Sequence, residues 1–415
     1  MKILGIYDRA DGGGAAVAAN RLLLGLKGLG ADVSRLVWHQ PTEACALETQ
    51  CAAMDIVPTR LERGIARLVP TLESATLRKR RLIRRFIARL EKIRPDVISL
   101  HNIHGSAWPL DIVRICSAMC PTVWTLHDMW SFTGRCAYSH DCKRYLSRCD
   151  DACPTPSEYP ALNLALIGTA HDAKSDLLRT ARMLSGVTPS RWLASVALSS
   201  LWQGRRVDAI SNGIDLTLFP PLTKAAMRQK LGIPQDTAVI LTVAQNLSER
   251  RKGGAILPEV IKKVRAKKRV RWILVGDCPP QGTYPFVHLD RLGFITDPVK
   301  LRELYCVADV LVHPAPSDNL PNVVVEAMAM GLPTLAFRVG GLPELVQPGS
   351  TGWLCESVNA DSMVVELNSC LAFLDDGASL SQACRRSVEN EFTVENQARR
   401  YLKLFAELRN TLVAQ

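Results

Sequence analysis

The stretch DVLVHPAPSDNLPNVVVEAMAMGLPTLAF, residues 309–337, sets out the repeating unit of the fold. An apolar, β-branched run ends near His313 and is followed by the loop PSDNLPN and by an apolar helical run that Gly331 terminates. Pro321 suits the first turn of that helix, where its missing N–H costs nothing. A second apolar run, PTLAF, follows. The segment therefore predicts a strand, a loop, a helix and another strand.

The same alternation of strand-like and helical runs extends along the whole chain. Apolar runs of four to eight residues without strict alternation indicate strands that are covered on both faces. Helices between such strands require parallel crossovers. The strand-like runs are KILGIY, DVSRLVW, DVISLHN, TVWTLHD, LNLALIGT and LSGVTPS in the first half, and VDAISNG, AVILTVA, RWILVGD, VHLDRLGF, DVLVHPA and PTLAFRV in the second. The pattern predicts an α/β protein with two doubly wound parallel sheets.

The length of the chain predicts more than one domain. A sequence of 415 residues exceeds what one ordinary hydrophobic core organises. We expect an N-terminal domain over residues 1–205 and a C-terminal domain over residues 206–392. Residues 393–415 have apolar side chains at helical spacing, and we expect this helix to pack back on the first domain.

Composition favours a globular protein in the cytoplasm. Hydrophobic residues make up 47% of the chain and charged residues 22%. No apolar run reaches the roughly 20 residues that a membrane span needs, and the N-terminus reads as a buried strand rather than a signal peptide. Thirteen cysteines, most of them scattered through apolar segments, suit a reducing compartment.

Positive charge is concentrated in the first half of the chain. The net charge is +11, and residues 1–205 hold 27 basic and 18 acidic side chains against 24 and 22 in the remainder. Residues 76–93, TLRKRRLIRRFIARLEKI, form a basic amphipathic pattern. We expect its apolar stripe to pack on the domain and its surplus cations to attract the anionic inner face of the plasma membrane. RNA is the rival partner, although the sequence contains no nucleic-acid module.

Two loops of the second half are candidate anion sites, because ligands of doubly wound sheets bind where the strands end. Arg250, Arg251 and Lys252 follow the run AVILTVA and precede a helix. Cations at a helix N-terminus oppose the macrodipole unless an anion lies between them, which favours phosphate binding. The alternative is a solvated basic turn.

The second candidate is the loop PSDNLPN together with the helix that follows it. Amide groups of the loop and of the helix N-terminus would bind an anion. Glu326 lies one to two turns into the helix among Val and Ala, where a carboxylate is costly to bury without a partner. The paired hydroxyls of a ribose would satisfy it, and so would an ion pair with a neighbouring Arg or Lys.

Glycine and histidine residues follow strands of the first half. Gly13 and Gly14 allow close approach of the backbone to a ligand and open a helix whose N–H groups face an anion; the alternative is a plain tight turn. His127 directly follows the run TVWTL, which places it on the ligand-facing edge. His101 and His104 lie in a neighbouring loop and are weaker candidates for substrate contact; a histidine that caps a turn is the structural alternative.

Four cysteines form a group with the spacing C-x5-C-x6-C-x3-C, namely Cys136, Cys142, Cys149 and Cys153. Thiolate ligands in a reducing compartment predict a structural Zn²⁺ site. Free thiols and a disulfide-clipped loop are the alternatives. Such a zinc ion would not be catalytic, because four thiolates leave no open coordination position.

Taken together, the motifs resemble those of retaining glycosyltransferases of family 4, which have the GT-B fold of two facing Rossmann-like domains. The matching motifs, in the order of the family, are DGGGAA, TLHDMW, VTPSRW, SNGID, RRKG, LVGD, LGF, NLPNVVVEAMAMG and GGLPELV. The segment HDMWSFTGRCAYSHDCKRYLSRC is similar to the subgroup that makes bacterial exopolysaccharides of the colanic-acid type.

The resemblance implies transfer of a sugar from a nucleoside diphosphate to a saccharide or polyprenyl-linked acceptor, with no cofactor required for catalysis. The E-x7-E motif of the family falls on Asp318 and Glu326, which implies that Glu326 binds the ribose. Asp318, one methylene shorter than the family's glutamate, is then expected to bind the transferred sugar. Asn319, Leu320 and Pro321 would supply backbone contacts to the donor.

The resemblance also assigns roles to the remaining loops. Lys252, with Arg251 or Arg250, is expected to hold the diphosphate, and His127 to lie beside the donor sugar. The glycine loop would face donor phosphate and acceptor. Asp318 and Asn246 depart from the family pattern, and these departures motivate a second hypothesis, a non-catalytic nucleotide-sugar-binding protein of the same fold. A phosphorylase is a third, but it needs a further phosphate site.

Overall fold

The computed structural model describes residues 1–10, 13–39, 48–51, 72–106 and 108–413. Contacts within the chain divide it into two compact units. The first unit takes in residues 1–189, 193–210 and 397–415, and the second takes in residues 190–192 and 211–396. The sequence placed the change of domain between residues 205 and 206, whereas the main division in the structure follows Ile210.

The first unit is built on a parallel sheet whose strand order is β3-β2-β1-β4-β5-β6-β7. Its strands are β1 (Lys2–Arg9), β2 (Asp32–His39), β3 (Glu48–Cys51), β4 (Val97–Leu100), β5 (Thr122–Thr125), β6 (Leu184–Thr188) and β7 (Val207–Ala209). The helices are α1 (Gly14–Gly28), α2 (Leu72–Ile93), α3 (Asp111–Met119), α4 (Leu164–Thr180) and α5 (Arg191–Leu198).

One predicted strand of the first unit is wrong. The run LNLALIGT lies at the start of α4 instead. Asn163 caps this helix, because its side chain accepts a hydrogen bond from the N–H of Ala165 at 3.0 Å. Ile167 is buried, whereas Leu166 is 51% exposed, so the apolar run covers more than the buried face of the helix. A short apolar run of this kind does not distinguish a strand from a helix by periodicity.

The C-terminal helix α13 (Val394–Val413) contributes to the core of the first unit. Tyr401 and Phe405 are fully buried in the same cluster as Ile3 and Val123 of the sheet. The hydroxyls of Tyr401 and Thr125 lie 3.0 Å apart. From residue 397 onward this helix therefore belongs to the first unit.

The second unit is built on a parallel sheet whose strand order is β10-β9-β8-β11-β12-β13. Its strands are β8 (Thr237–Asn246), β9 (Arg269–Asp277), β10 (Val287–Arg291), β11 (Val310–His313), β12 (Thr334–Phe337) and β13 (Gly352–Cys355). The helices that precede and follow these strands are α6 (Lys224–Lys230), α7 (Leu257–Lys263), α8 (Pro298–Val307), α9 (Asn322–Ala329), α10 (Leu342–Leu345), α11 (Ala360–Asp375) and α12 (Ser381–Glu391).

Alternate residues of the central strand β8 explain why its sequence is apolar throughout. Val239 and Leu241 lie in one hydrophobic cluster, and Ala238 and Ile240 lie in another. Helices therefore cover both faces of the sheet, as the uninterrupted apolar runs predicted. The predicted fold class, α/β with two parallel-sheet domains, is confirmed.

Helix α2 is amphipathic, and its apolar stripe is buried as expected. Leu82, Phe86 and Leu90 are at most 8% exposed, and the ring of Phe86 contacts Trp108 edge-on. Across the described part of the chain, no helix combines the length and the apolar character that crossing a membrane would require.

Candidate active site

Asp318 is the centre of a charged cluster at the carboxyl end of β11. Asp318 is 5% exposed as a whole residue, and its carboxylate accepts a hydrogen bond from Lys252 Nζ at 3.0 Å. His313 Nε2 lies 3.3 Å from the same oxygen, Oδ2. Burial alone would raise the pKa of Asp318, but the charge of Lys252 and the proximity of His313 outweigh it and hold this pKa well below its usual value. Asp318 is therefore an anion at neutral pH.

Glycine residues allow neighbouring loops to approach this cluster. Gly253 has a φ of +71°, and a Cβ at this position would lie 1.8 Å from the carbonyl oxygen of Pro314. Gly340 has a φ of +57°, and a Cβ there would lie 1.9 Å from the carbonyl oxygen of Asp318. A side chain at either position is excluded by backbone conformation and by space. These two glycines bring the loops after β8 and β12 against the loop after β11.

The basic segment after β8 divides its charges between different partners. Residues Arg250–Lys252 form a short 3-10 turn rather than the first turn of a helix, and α7 begins only at Leu257. Lys252 pairs with Asp318, whereas Arg251 lies 2.9 Å from Glu249. The structure thus brings Lys252 to the predicted acid and directs Arg251 to a neighbour in its own turn.

Asn319, Leu320 and Pro321 connect the cluster to helix α9. The backbone N–H of Asn319 donates to Asp318 Oδ1 at 3.0 Å, and its side-chain oxygen accepts from the hydroxyl of Ser190 at 2.5 Å. Leu320 is buried, and Pro321 is the N-cap residue of α9, one position earlier than the sequence suggested. The predicted end of the helix is confirmed, since Gly331 follows it with a φ of +74°.

Glu326 lies within α9, on a face that is buried. It is 8% exposed, and its Oε2 accepts a hydrogen bond from the hydroxyl of Tyr305 at 3.3 Å. The phenol of Tyr305 is a partner that the sequence did not single out.

In the first unit, two histidines meet where β4 and β5 end. His101 Nδ1 lies 3.0 Å from His127 Nε2, and the two rings are stacked with 5.3 Å between their centroids. Burial lowers the pKa of His127 to about 4 and that of His101 well below its ordinary value. Both imidazoles are therefore neutral at pH 7.

Two carboxylates on the same edge of the first sheet are functional candidates that sequence reasoning missed. Asp128 lies 3.2 Å from His104, and that imidazole stacks on Trp130 at 5.0 Å between centroids. Asp8, at the end of β1, accepts hydrogen bonds from the N–H of Gly105 and the hydroxyl of Ser106. Lone carboxylates after strands carry no spacing signal, so only their position at a strand end could have indicated them.

The glycine loop after β1 leads into α1. Gly13 has a φ of +75° and is the N-cap residue, and Gly14 is the first residue of the helix. Both are exposed. Residues 11 and 12 of this predicted loop lie outside the described residues. The arrangement leaves open space beside Gly13, because a Cβ built there meets no atom within 4 Å.

The segment that contains the four cysteines begins just after a loop whose carbonyl groups bind Lys174. This ammonium is 2% exposed and donates to the carbonyl oxygens of Trp130 and Thr133 at 2.7 and 2.9 Å. Burial raises the pKa of Cys136 to about 11 and also raises that of Cys149. Within the described residues, no three His, Cys, Asp or Glu side chains are arranged to hold a metal ion. The structural zinc site stays a prediction.

Comparisons with known proteins relate both halves of the chain to glycosyltransferases. Residues 12–218 match the family described as "Glycosyltransferase Family 4", and residues 237–372 match "Glycosyl transferases group 1". The putative colanic acid biosynthesis glycosyl transferase WcaC of Escherichia coli (strain K12) is 29% identical over 269 residues, which are 61% of this chain and 62% of that protein. The chain thus spans less than two thirds of the length of this curated relative.

Solved structures of the same architecture cover nearly the entire chain. Sucrose-phosphate synthase from Thermosynechococcus elongatus superposes with a TM-score of 0.72 at 19% identity, over 99% of each chain. Anabaena Alr3699/HepE in complex with UDP-glucose superposes with a TM-score of 0.67 at 19% identity, over 100% of each chain. These likenesses show that the chain has the GT-B fold. The family matches in its two halves show that it belongs to glycosyltransferase family 4.

Proposed function

We propose that this chain transfers a sugar from a nucleoside diphosphate to a saccharide acceptor, with retention of anomeric configuration, in the synthesis of a bacterial cell-surface polysaccharide. The observation that carries the proposal is the Lys252–Asp318 pair at the carboxyl edge of the second sheet, beside the start of the helix that bears Glu326. The donor class is supported by HepE, whose structure is a complex with UDP-glucose. The product class is supported by the Escherichia coli relative, which is named for colanic acid biosynthesis.

The donor is held at its diphosphate and at its ribose. The ammonium of Lys252 has three N–H donors, of which one serves Asp318. The others are directed to the phosphate oxygens, with Arg250 and Arg251 adding positive charge nearby. Glu326 accepts hydrogen bonds from the ribose hydroxyls while Tyr305 steadies one of its oxygens.

The chemistry requires stabilisation of a leaving phosphate. The bond between C1 of the sugar and the phosphate oxygen breaks, and its electron pair stays on that oxygen. Lys252 and backbone amides of the loop after β11 stabilise the charge that develops there, so a metal ion is not needed. Asp318 and the backbone of residues 319–321 hold the sugar through an oxocarbenium-like state.

Retention follows from attack on the face that the leaving group vacates. The acceptor hydroxyl forms the new bond to C1 on this face, and its proton passes to the departing phosphate oxygen. For the first unit, the family resemblance assigns His127 to the donor sugar, and Gly13 and Gly14 to the phosphate and the acceptor. No side chain of the protein needs to act as a covalent nucleophile.

A peripheral position on the inner face of the plasma membrane would bring the enzyme to a polyprenyl-linked acceptor. Helix α2 supports this part of the proposal because Arg80, Arg81, Arg84 and Arg85 are exposed. Its apolar stripe is buried in the first unit, so the attraction to the membrane is electrostatic rather than an insertion of apolar side chains.

A thermal-shift screen against nucleoside diphosphates and their sugars tests the donor class first. A ligand that binds the native state raises the melting temperature by mass action. The ligand with the largest shift is then incubated with the protein and a set of saccharide acceptors. Transfer supports the enzyme; binding without turnover on a broad acceptor set indicates the non-catalytic nucleotide-sugar-binding protein instead.

A further inference from the structure

Tyr159, in the first unit, is a surface tyrosine to which the proposed mechanism gives no role. It is 57% exposed, whereas Tyr7, Tyr305 and Tyr401 are at most 1% exposed. Its ring lies 5.9 Å from that of His104, measured between centroids, and His104 belongs to the loop after β4. An exposed tyrosine presents an apolar ring face and a polar hydroxyl to a partner. The way its backbone is held distinguishes Tyr159 from an incidental surface residue.

A buried arginine fixes the backbone on both sides of Tyr159. Arg135 is 2% exposed, and its guanidinium donates to the carbonyl oxygens of Glu158 and Pro160. It also donates to the hydroxyl of Thr155 at 3.2 Å. Burial of a charged group is costly without such hydrogen bonds, and here they all serve one short loop. The loop is therefore tied to the interior of the first unit, while the ring that it carries is exposed to solvent.

Gly105 allows this loop to approach the carboxyl edge of the first sheet. A Cβ built at Gly105 would lie 2.8 Å from Asp8 Oδ2 and 3.3 Å from the phenol oxygen of Tyr159. The N–H of Gly105 donates to the same carboxylate at 2.7 Å. A side chain at this position would displace one of its two neighbours. Tyr159 thus lies where β1 and β4 end, which is the edge at which parallel α/β sheets bind ligands.

The charges near Tyr159 indicate the class of ligand. Three carboxylates are close to it, namely Asp8 across Gly105, Asp128 across His104, and Glu158 next to it in the chain. Negative charge disfavours contact with an anionic lipid surface. A saccharide is neutral, and its hydroxyls donate hydrogen bonds to carboxylates. The C–H bonds on one face of a pyranose also match the electron-rich face of an aromatic ring.

We propose that Tyr159 is the platform on which one pyranose ring of the saccharide acceptor stacks. This inference rests on the proposed function, which requires a saccharide acceptor. Stacking involves the first unit alone, since the ring and the groups that hold its loop all belong to that unit. Tyr159 then determines how tightly the acceptor binds, whereas the donor is bound by other residues.

Saturation-transfer difference NMR on the full chain, without donor, tests the inference. The probes are the methyl glycosides of glucose, galactose, mannose, fucose and N-acetylglucosamine. We expect the wild-type protein to bind at least one of them, with the strongest saturation on the C–H protons of one pyranose face. Tyr159→Leu, which replaces the ring by an apolar side chain, should weaken that binding about tenfold. Tyr159→Phe keeps the ring and should retain most of the binding.

Phe286→Leu is the matched control, because Phe286 is 71% exposed and belongs to the second unit. It should bind the glycosides as the wild type does. Where sugar transfer is measured, Tyr159→Leu should raise the KM of the acceptor about tenfold and leave the KM of the donor unchanged. A merely structural role for Tyr159 would lower the melting temperature and the turnover number without this selective rise.

Three results would overturn the inference. They are the absence of glycoside binding by the wild-type protein, equal binding by the wild type and folded Tyr159→Leu, and a loss of phosphatidylserine-vesicle binding in Tyr159→Leu with glycoside binding intact. The last would indicate that the ring contacts a membrane instead. A wild-type protein that binds a glycoside through Tyr159 but transfers no sugar would contradict the proposed function and leave the saccharide platform standing.

Discussion

Lys252 and Asp318, 66 positions apart in the chain, form an ion pair with 3.0 Å between Nζ and Oδ2. The Asp318 side chain is 8% exposed and that of Lys252 17%. Removing two such charges from water is costly, and a pair of this kind is not by itself evidence of stability. A pyrophosphate that takes up the remaining N–H donors of Lys252 gives the pair a function, with Asp318 holding the ammonium in place.

Replacing Lys252 with alanine should reduce sugar transfer about 10²- to 10³-fold, because one fixed charge is lost from the leaving phosphate. The measurement is the turnover number with saturating donor. Lys262→Ala, at an exposed position in α7, removes the same charge at a distance from the cluster and should leave turnover unchanged. Wild-type turnover in Lys252→Ala would refute the role of this lysine.

Replacing Glu326 with glutamine should weaken nucleotide binding about ten- to a hundredfold, since a hydrogen bond to a charged group contributes about 1.5–3 kcal/mol. Calorimetric titration with UDP and with 2′-deoxy-UDP measures the effect. The wild-type protein should prefer the ribonucleotide, and Glu326→Gln should lose that preference. Tyr305→Phe, which removes only the supporting hydroxyl, should have a smaller effect. An unchanged preference in Glu326→Gln would argue that another group binds the ribose.

The ion pair at Asp318 predicts a specific dependence of stability on pH. Its pKa is lower in the folded protein than the ordinary value of 3.8, so ionisation stabilises the fold above about pH 4 and this contribution is lost as the pH falls. Asp318→Asn should therefore have a lower thermal midpoint than the wild type at pH 7, and the difference should shrink below pH 4. Asp376→Asn, which breaks an exposed pair with Lys267, should show little difference at either pH. A difference in thermal midpoint between the wild type and Asp318→Asn that stays constant with pH would contradict this explanation.

Neutralising the exposed cations of α2 should weaken binding to anionic vesicles. The variant replaces Arg80, Arg84 and Arg85 with glutamine, and each cation near the surface contributes about 1 kcal/mol. Co-sedimentation with phosphatidylserine vesicles is the measurement, and added salt should have the same effect. Neutralising the three cations at 267–269 in the second unit is the matched control. Equal binding by both variants and the wild type would discard the membrane role.

Metal analysis decides the role of the four cysteines. Protein purified without chelators should contain about one Zn²⁺ per chain, and Cys142→Ser combined with Cys149→Ser should lose it. Binding should release protons, because burial otherwise keeps the Cys136 thiol protonated with a pKa of about 11. Absence of zinc from the wild-type protein would contradict the predicted zinc site and indicate that the cysteines are free thiols.

The sequence predicted the parallel sheets well, because both-face burial gives apolar runs such as AVILTVA that read directly as strands. It misread residues 164–169, where an apolar run on a helix has the same length as a buried strand. It also missed β3, Glu48–Cys51, whose residues ETQC include no apolar run.

The candidate site was predicted residue by residue but not as a set of contacts. Lys252 and Asp318 were each singled out, yet their pairing depends on how two loops meet, and nothing in the spacing reports it. His313 was read only as the end of a strand, although it lies 3.3 Å from Asp318. The stacking of His101 on His127 depends in the same way on the neighbouring positions of β4 and β5 in the sheet.

NMR spectroscopy of the reaction of the wild-type protein with a nucleoside diphosphate sugar and a saccharide acceptor tests most directly whether the protein transfers the sugar with retention. Without added metal, we expect release of the nucleoside diphosphate and a product whose new linkage has the anomeric configuration of the donor. Donor binding with no turnover, or a product with inverted configuration, would contradict it.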